Sequence, residues 1–122
     1  MISFDGFIIE DGSPIYIQVI EFLKNNIVSG IVNNGDELPS RRVLSALLGV
    51  NPNTIQKAYK ILEEEGLIES RSGAKSYVVL DEITVIKLKK QLLKNNATSV
   101  INSLKQMGIS KDEALYLIDK YW

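Results

Sequence analysis

The chain has 122 residues with no cysteine and no histidine, and its 14 basic and 15 acidic side chains give a formal net charge of −1. Disulfides, thiolate chemistry, zinc sites built from Cys or His, and a Ser-His-Asp triad are therefore excluded. The length and the 45% apolar content are typical of one compact domain with an appendage, and we expect neither a cofactor nor a metal.

Residues 1–12 are predicted to form an extended N-terminal arm. Phe4, Phe7, Ile8 and Ile9 alternate loosely with other residues, so the arm can pack on the body or on a partner, although a partly ordered tail fits the same pattern. The segment has acids and no basic stretch, which does not fit a signal peptide. Nowhere does the chain approach the ~20 apolar residues of a membrane span. We expect a cytoplasmic protein with no membrane partner.

Residues 13–80 are predicted to form the main domain, which opens with a helix. After Pro14, apolar residues recur at every fourth position until Gly30, where a helix should end. This first helix is expected to support the others. Tyr16 and Gln18 near its start are expected to be surface residues.

The stretch Leu38–Gly66 predicts two short helices joined by a tight turn. Ser40 can cap the first helix, and Gly49 ends it. Asn51 can accept a hydrogen bond from an amide in the first turn of the second helix, and Pro52 suits the first helical position. Two helices joined in this way are typical of the helix-turn-helix motif.

The second of these helices has an apolar and a polar face. Asn and Gln side chains can form bidentate pairs with base edges, and Lys can neutralise phosphate. A merely solvated face is the alternative interpretation. However, residues 38–62 include Arg41 and Arg42 and no acidic residue, which favours a nucleic-acid contact. The polar face consists of Asn53, Thr54 at its border, Gln56, Lys57 and Lys60.

Two short strands are predicted after the second helix, at Leu67–Glu69 and Ser76–Leu80. The residues between them include Arg71 and Lys75, so the hairpin would present a basic tip. The predicted fold class is mainly α with a small β-hairpin (α+β): a winged helix-turn-helix followed by a C-terminal helical hairpin.

The ordered segments Gly35–Arg42, Leu48–Val50, Asn53–Tyr59 and Leu62–Ile68 resemble the winged helix-turn-helix of GntR-family bacterial transcription regulators. The Asn51-Pro52-Asn53-Thr54 opening and the short tail resemble the YtrA-type branch of that family. The resemblance covers residues 13–79. It implies a DNA-binding regulator with a small helical dimerisation extension, and members of this branch often regulate transporter operons.

The resemblance also implies roles for individual residues. The phosphate-contacting arginine corresponds to Arg42, and the wing glycine that enters the minor groove corresponds to Gly73. The recognition-helix contacts correspond to Asn51, Asn53, Thr54 and Gln56, with Lys57 beside them. Many members continue the wing as Gly-x-Gly-Thr-Phe, and this chain departs from that pattern at Lys75 and Ser76. For Tyr16 and Gln18 in the first helix, a contact with the DNA backbone is the alternative to the expected surface role. The complete predicted DNA-contacting set is Arg41, Arg42, Asn51, Asn53, Thr54, Gln56, Lys57, Lys60, Arg71, Gly73 and Lys75.

Residues 81–122 are predicted to form a helical dimerisation tail. Asp81 and Glu82 favour the start of a long helix that Gly108 ends, and Ser110 opens a last helix with a capping-box sequence. Apolar residues form a stripe along the long helix, interrupted at Lys90, and such a stripe predicts pairing with a second copy of the chain. The alternative is that both tail helices fold back on the main domain. The predicted dimerisation residues are Ile86, Leu93, Ala97, Val100, Leu104, Met107, Leu115 and Ile118.

These observations predict a homodimeric, sequence-specific repressor that binds an inverted repeat in double-stranded DNA. A winged-helix module that binds protein instead is the alternative. An enzyme would have to use Glu63–Glu65 or the pair Asp112 and Glu113, but a solvated helix end and a helix first turn explain these carboxylates. Any small-molecule effector is unknown.

Overall fold

The computed structural model describes residues 1–71, 73 and 75–122. Ser72 and Ala74, which belong to the predicted wing tip, lie outside the described residues. The chain divides into two compact units, Met1–Ile86 and Lys87–Trp122. The domain limits predicted after residues 12 and 80 remain predictions.

Five helices and three short strands make up the described fold, and they confirm the predicted fold class. In chain order they are α1 (Ile15–Val28), β1 (Glu37–Leu38), α2 (Arg41–Leu48), α3 (Pro52–Glu64), β2 (Ile68–Arg71), β3 (Lys75–Val78), α4 (Glu82–Gln106) and α5 (Lys111–Tyr121). Strand β1 was not predicted from the sequence, because two residues are too few to show an alternating pattern. Among the described residues, no helix is both long and apolar enough to cross a membrane.

The three strands form one antiparallel sheet in the order β1-β3-β2. Ile68 lies opposite Val78 and Arg71 lies opposite Lys75, so β2 and β3 form the predicted hairpin. On the other edge of β3, Glu37 lies opposite Tyr77. The sheet therefore ties the wing to the segment that precedes α2.

Helix α3 lies at the centre of the core of the first unit, where α1 and α2 both pack against it. The burial of one large apolar side chain contributes about 1.5–3 kcal/mol, so this cluster fixes the position of α3. The most deeply buried side chains of the cluster are Val19, Leu23 and Ile27 from α1, Leu44 from α2, and Ile55, Ala58, Tyr59 and Leu62 from α3.

The predicted helix ends are confirmed by their hydrogen bonds. The Ser40 hydroxyl accepts from the Val43 amide at 3.1 Å, and the Ser110 hydroxyl accepts from the Glu113 amide at 3.2 Å. At the end of α4, Gly108 has φ = 74°, and the amide of Ile109 donates to the carbonyl of Leu104. This left-handed glycine closure satisfies carbonyls that the helix end would otherwise leave free.

The N-terminal arm packs on the body of the first unit. The amide of Ile2 donates to the carbonyl of Glu37 at 2.8 Å, which brings the arm against β1. Phe4 is buried, and its ring centroid lies 5.0 Å from that of Phe22 in α1. Gln18 binds the backbone of Glu10 through both its amide oxygen and its amide nitrogen. Gln18 therefore holds the arm, a role that the sequence analysis missed.

In the second unit, apolar side chains of α4 and α5 line cavities that are open to solvent. Two apolar cavities along these helices measure about 590 and 330 Å³. Ala114 and Leu117 of α5 are half-buried, whereas the other side chains of α5 are exposed. The two helices thus leave much of their apolar surface uncovered within the chain.

Candidate nucleic-acid interface

A short turn sets the angle between α2 and α3. Gly49 ends α2 with φ = 67°, a left-handed conformation that favours glycine. The Val50 amide donates to the carbonyl of Ser45, and α3 begins at Pro52. The predicted helix-turn-helix is therefore present, with α3 in the position of the recognition helix.

The polar face of α3 points to solvent, as the periodicity predicted. Asn53, Gln56, Lys57 and Lys60 are exposed, and Thr54 is half-buried at the border. The opposite face supplies core residues such as Ile55 and Leu62. Amide side chains on this face can pair with base edges, and the ammonium groups can approach phosphates.

Asn51 has a structural role in addition to its predicted DNA contact. Its side-chain oxygen accepts a hydrogen bond from the Asn53 amide at 2.8 Å, which confirms the predicted cap of α3. Because the oxygen is used within the helix start, a contact to DNA would come from the side-chain amide nitrogen. That nitrogen is a donor, suited to phosphate or base acceptors.

The two arginines at the start of α2 lie in different surroundings. Arg42 is exposed, whereas Arg41 is half-buried with its guanidinium carbon 5.2 Å from the centroid of the Tyr59 ring. The buried Nε of Arg41 has no hydrogen-bond partner among the described residues. Arg42 is thus the arginine free to reach outwards, and Arg41 is held against the core.

Tyr59 connects this surface to the core. Its hydroxyl donates a hydrogen bond of 2.6 Å to the carbonyl of Pro39. Burial raises the pKa of the Tyr59 hydroxyl above the ordinary value for tyrosine, and the nearby charge of Arg41 opposes part of that shift. Tyr59 therefore remains a neutral donor and fixes the entry to α2.

Lys57 does not project freely from α3. Its Nζ lies 4.1 Å from the ring centroid of Tyr16, a residue of α1. From the sequence, Tyr16 was expected at the surface, with a contact to the DNA backbone as the alternative. The structure places its half-buried ring against Lys57, a predicted DNA contact. The two residues are far apart in the chain, so no local spacing could have indicated this pair.

The wing carries its basic residues at the described end of the hairpin. Arg71 pairs with Glu69 at 2.8 Å, and its guanidinium carbon lies 4.5 Å from the centroid of the Tyr77 ring. Lys75 is exposed on the opposite strand. Gly73 is exposed with φ = 78°, a conformation that a side chain would disfavour. The basic residues of the wing were predicted from the sequence, whereas the contacts of Arg71 with Glu69 and Tyr77 were not.

Two glutamates that the sequence analysis assigned to a solvated helix end make tertiary contacts. A carboxylate oxygen of Glu63 accepts from the Ser70 amide at 3.2 Å, which joins the end of α3 to β2. Glu65 pairs with Lys24 of α1 at 2.8 Å. Both contacts help to hold α3 against its neighbours, and they explain these carboxylates without any catalytic role.

The sequence of the domain matches a known family. The family described as "Bacterial regulatory proteins, gntR family" matches residues 15–78. The HTH-type transcriptional repressor YtrA of Bacillus subtilis is 37% identical over 88% of this chain and 78% of its own length. This match confirms the resemblance to the YtrA-type branch, and relatives of this kind are named as regulators of transcription rather than as enzymes.

Solved structures agree with that assignment. A GntR family transcriptional regulator from Listeria monocytogenes has a TM-score of 0.81 and 33% identity, covering 92% of this chain and 98% of that one. The AraR DNA-binding domain in complex with operator ORX1 has a TM-score of 0.52 and 31% identity, covering 63% of this chain and 93% of that one. The chain therefore belongs to the GntR family of bacterial transcription regulators and carries that family's winged-helix DNA-binding domain.

Proposed function

We propose that the protein is a homodimeric, cytoplasmic repressor that recognises an inverted repeat in double-stranded DNA. The observation that carries the proposal is the polar face of α3. Asn53, Gln56 and Lys60 are exposed there, on a helix whose other face is fixed in the core. A rigid helix with exposed amide and ammonium groups suits the major groove.

The proposed roles follow from the chemistry of each side chain. Asn53 and Gln56 read base edges, with Thr54 and Asn51 beside them. The exposed cations Arg42, Lys57 and Lys60 neutralise phosphates near the helix-turn-helix, and the half-buried guanidinium of Arg41 adds positive charge beside them. The wing contacts the adjacent DNA groove and the DNA backbone through Arg71, Gly73 and Lys75. Base contacts of this kind give sequence preference, whereas phosphate contacts give position and affinity.

Dimerisation through the tail is supported by uncovered apolar side chains. Leu93, Val100, Met107, Leu115 and Ile118 remain 47–66% exposed. A contiguous apolar surface of this kind marks an interaction site in most soluble proteins. A second copy of the same tail would cover it, together with Ile86, Ala97 and Leu104 of the predicted interface.

A two-fold dimer favours a two-fold DNA site. Two recognition helices related by symmetry read half-sites about one helical turn apart, ~34–36 Å. Each protomer offers few phosphate contacts, so two protomers bound together would be needed for useful affinity at physiological salt. The AraR domain, which is similar to this chain, forms a complex with an operator. An inverted repeat is the operator that this assembly would prefer.

Repression is the simplest regulatory outcome for a small dimer, because occupation of promoter DNA excludes polymerase. The B. subtilis relative is itself named a transcriptional repressor. We propose a transporter operon as the regulated target, since the YtrA-type resemblance implies it. An effector, if the dimer responds to one, would bind within the tail.

Selection of genomic fragments tests this proposal. Purified protein is mixed with sheared DNA from the source genome, and the retained fragments are sequenced. We expect enrichment of promoter fragments that contain an inverted repeat, some of them upstream of transporter genes. Transcription in vitro from a retained promoter should fall when the protein is added. Retention of fragments without a shared sequence, or unchanged transcription, would contradict the proposal.

A further inference from the structure

The ammonium of Lys57 is held in place by an aromatic ring from another helix. The Nζ atom lies 4.1 Å from the centroid of the Tyr16 ring. A cation over a ring face within about 6 Å is attracted by the electron density of that face. Lys57 itself is exposed, and Tyr16 is half-buried. The ring thus contacts the ammonium on one side and restricts its movement, while the other side of the ammonium remains accessible to solvent.

Such ordering matters for binding because lysine is flexible. A lysine side chain populates many rotamers, and part of this freedom is lost when the ammonium is fixed on a phosphate. A lysine that is already ordered loses less on binding. The contact with Tyr16 would therefore favour association if it holds Lys57 in the orientation that the complex requires.

We propose that Tyr16 is a positioning residue for DNA binding, whose ring orients Lys57 on the polar face of α3 towards a DNA phosphate. The inference rests on the proposed function, since it takes Lys57 to be a DNA contact. It adds a residue of α1 to an interface that is otherwise built from α2, α3 and the wing.

The same arrangement occurs at two more cations of the candidate interface. The guanidinium carbon of Arg41 lies 5.2 Å from the Tyr59 ring centroid, and that of Arg71 lies 4.5 Å from the Tyr77 ring centroid. Tyr59 is a core residue, and Arg71 also pairs with Glu69. Tyr16 therefore offers the cleanest test, because its replacement disturbs less of the fold.

The variants separate the ring of Tyr16 from its hydroxyl. Tyr16→Phe keeps the ring face, Tyr16→Leu removes it, and Lys57→Met removes the cation while keeping most of the aliphatic stem. Binding is measured by fluorescence anisotropy with a labelled duplex selected from a random library by the wild-type protein. Each titration is repeated over a range of salt concentrations, and the double variant Tyr16→Leu with Lys57→Met completes a thermodynamic cycle.

The positioning role predicts a distinct pattern of affinities. Tyr16→Phe should bind like the wild type, and Tyr16→Leu should bind about 2- to 5-fold more weakly per protomer, because Lys57 must then lose on binding the rotamer freedom that the ring already restricts in the wild type. The slope of log affinity against log salt concentration should be the same for Tyr16→Leu as for the wild type. In Lys57→Met that slope should become shallower by about one phosphate contact per protomer. In the Lys57→Met background, Tyr16→Leu should have no further effect.

A measurement on the free protein tests the contact without DNA. Protons of the Lys57 ε-methylene should be shifted upfield by the ring in the wild type and in Tyr16→Phe, and should return to ordinary values in Tyr16→Leu. The proposal is overturned if Tyr16→Leu binds as well as the wild type or more tightly. It is also overturned if Tyr16→Phe is as weak as Tyr16→Leu, because the hydroxyl would then be the contact. Failure of the wild-type protein to bind any duplex would instead refute the proposed function itself.

Discussion

The hydroxyl of Tyr59 in α3 donates a 2.6 Å hydrogen bond to the backbone carbonyl of Pro39, the residue before the Ser40 cap of α2. The bond joins the recognition helix to the start of its companion helix. Tyr59 is fully buried. The relative position of α2 and α3, and with it the candidate interface, depends on this contact.

Removal of the Tyr59 hydroxyl should destabilise the protein. In Tyr59→Phe the carbonyl of Pro39 loses its buried donor, which should lower the free energy of unfolding by about 1–3 kcal/mol. Urea denaturation followed by circular dichroism measures the change. Tyr116→Phe, which alters an exposed tyrosine, is the matched control and should behave like the wild type. Equal stability of Tyr59→Phe and the wild type would show that the hydrogen bond contributes nothing.

The buried hydroxyl also predicts a dependence of stability on pH. Burial raises the pKa of Tyr59 in the folded state, so the folded chain retains a proton that the unfolded chain releases near pH 10. The contribution of Tyr59 to stability is therefore present below about pH 10 and is lost as the pH rises further. The difference in unfolding free energy between wild type and Tyr59→Phe should shrink above that pH. A constant difference up to pH 11.5 or so would argue against a raised pKa.

Arg42→Ala should weaken binding to every duplex by a similar factor. Arg42 is exposed at the start of α2 and is proposed to contact phosphate, so its loss removes affinity without changing base preference. The slope of log affinity against log salt should become shallower by about one contact per protomer. Titrations of a selected and an unrelated duplex measure both quantities. A changed base preference would show that Arg42 reads sequence.

Gln56→Ala should show the opposite behaviour. The Gln56 amide is exposed on the polar face of α3 and is proposed to pair with a base edge. Its loss should cost about 1–3 kcal/mol at particular base pairs and leave non-specific binding nearly intact. A panel of duplexes with single base-pair changes locates the affected position. The same loss on all duplexes would contradict direct readout by Gln56.

Charges placed in the tail should separate the protomers. Leu93→Asp combined with Val100→Asp puts two carboxylates on the exposed apolar surface of α4, and burial of unpaired charge at an interface is costly. Sedimentation equilibrium should show monomers. The control is Thr98→Asp with Asn102→Asp, which alters exposed polar positions of the same helix and should leave a dimer. Persistent dimers in the first variant would place the interface elsewhere.

Local sequence signals predicted the helices and their ends accurately. Ser40, Asn51 and Ser110 cap helices through hydrogen bonds to residues two or three positions away, so their roles can be recognised from spacing alone. The polar and apolar faces of α3 also followed from its periodicity. The resemblance to the family motifs predicted that a winged domain surrounds these helices.

The features that were missed depend on contacts between distant parts of the chain. Strand β1 is defined by its pairing with β3, and Lys57 meets Tyr16 only because α1 packs against α3. From the sequence, Glu63 fitted a solvated helix end, but in the structure its carboxylate accepts a hydrogen bond from the Ser70 amide. Side-chain pairs of this kind leave no periodic signal in the sequence.

Selection from random double-stranded DNA is the most direct test of sequence-specific recognition by a dimer. The purified protein is incubated with a duplex library at moderate salt, and the retained duplexes are sequenced over several rounds. We expect enrichment of an inverted repeat whose half-sites lie about one helical turn apart, ~34–36 Å. Recovery of a single unrepeated site, or of no common sequence at all, would contradict the account.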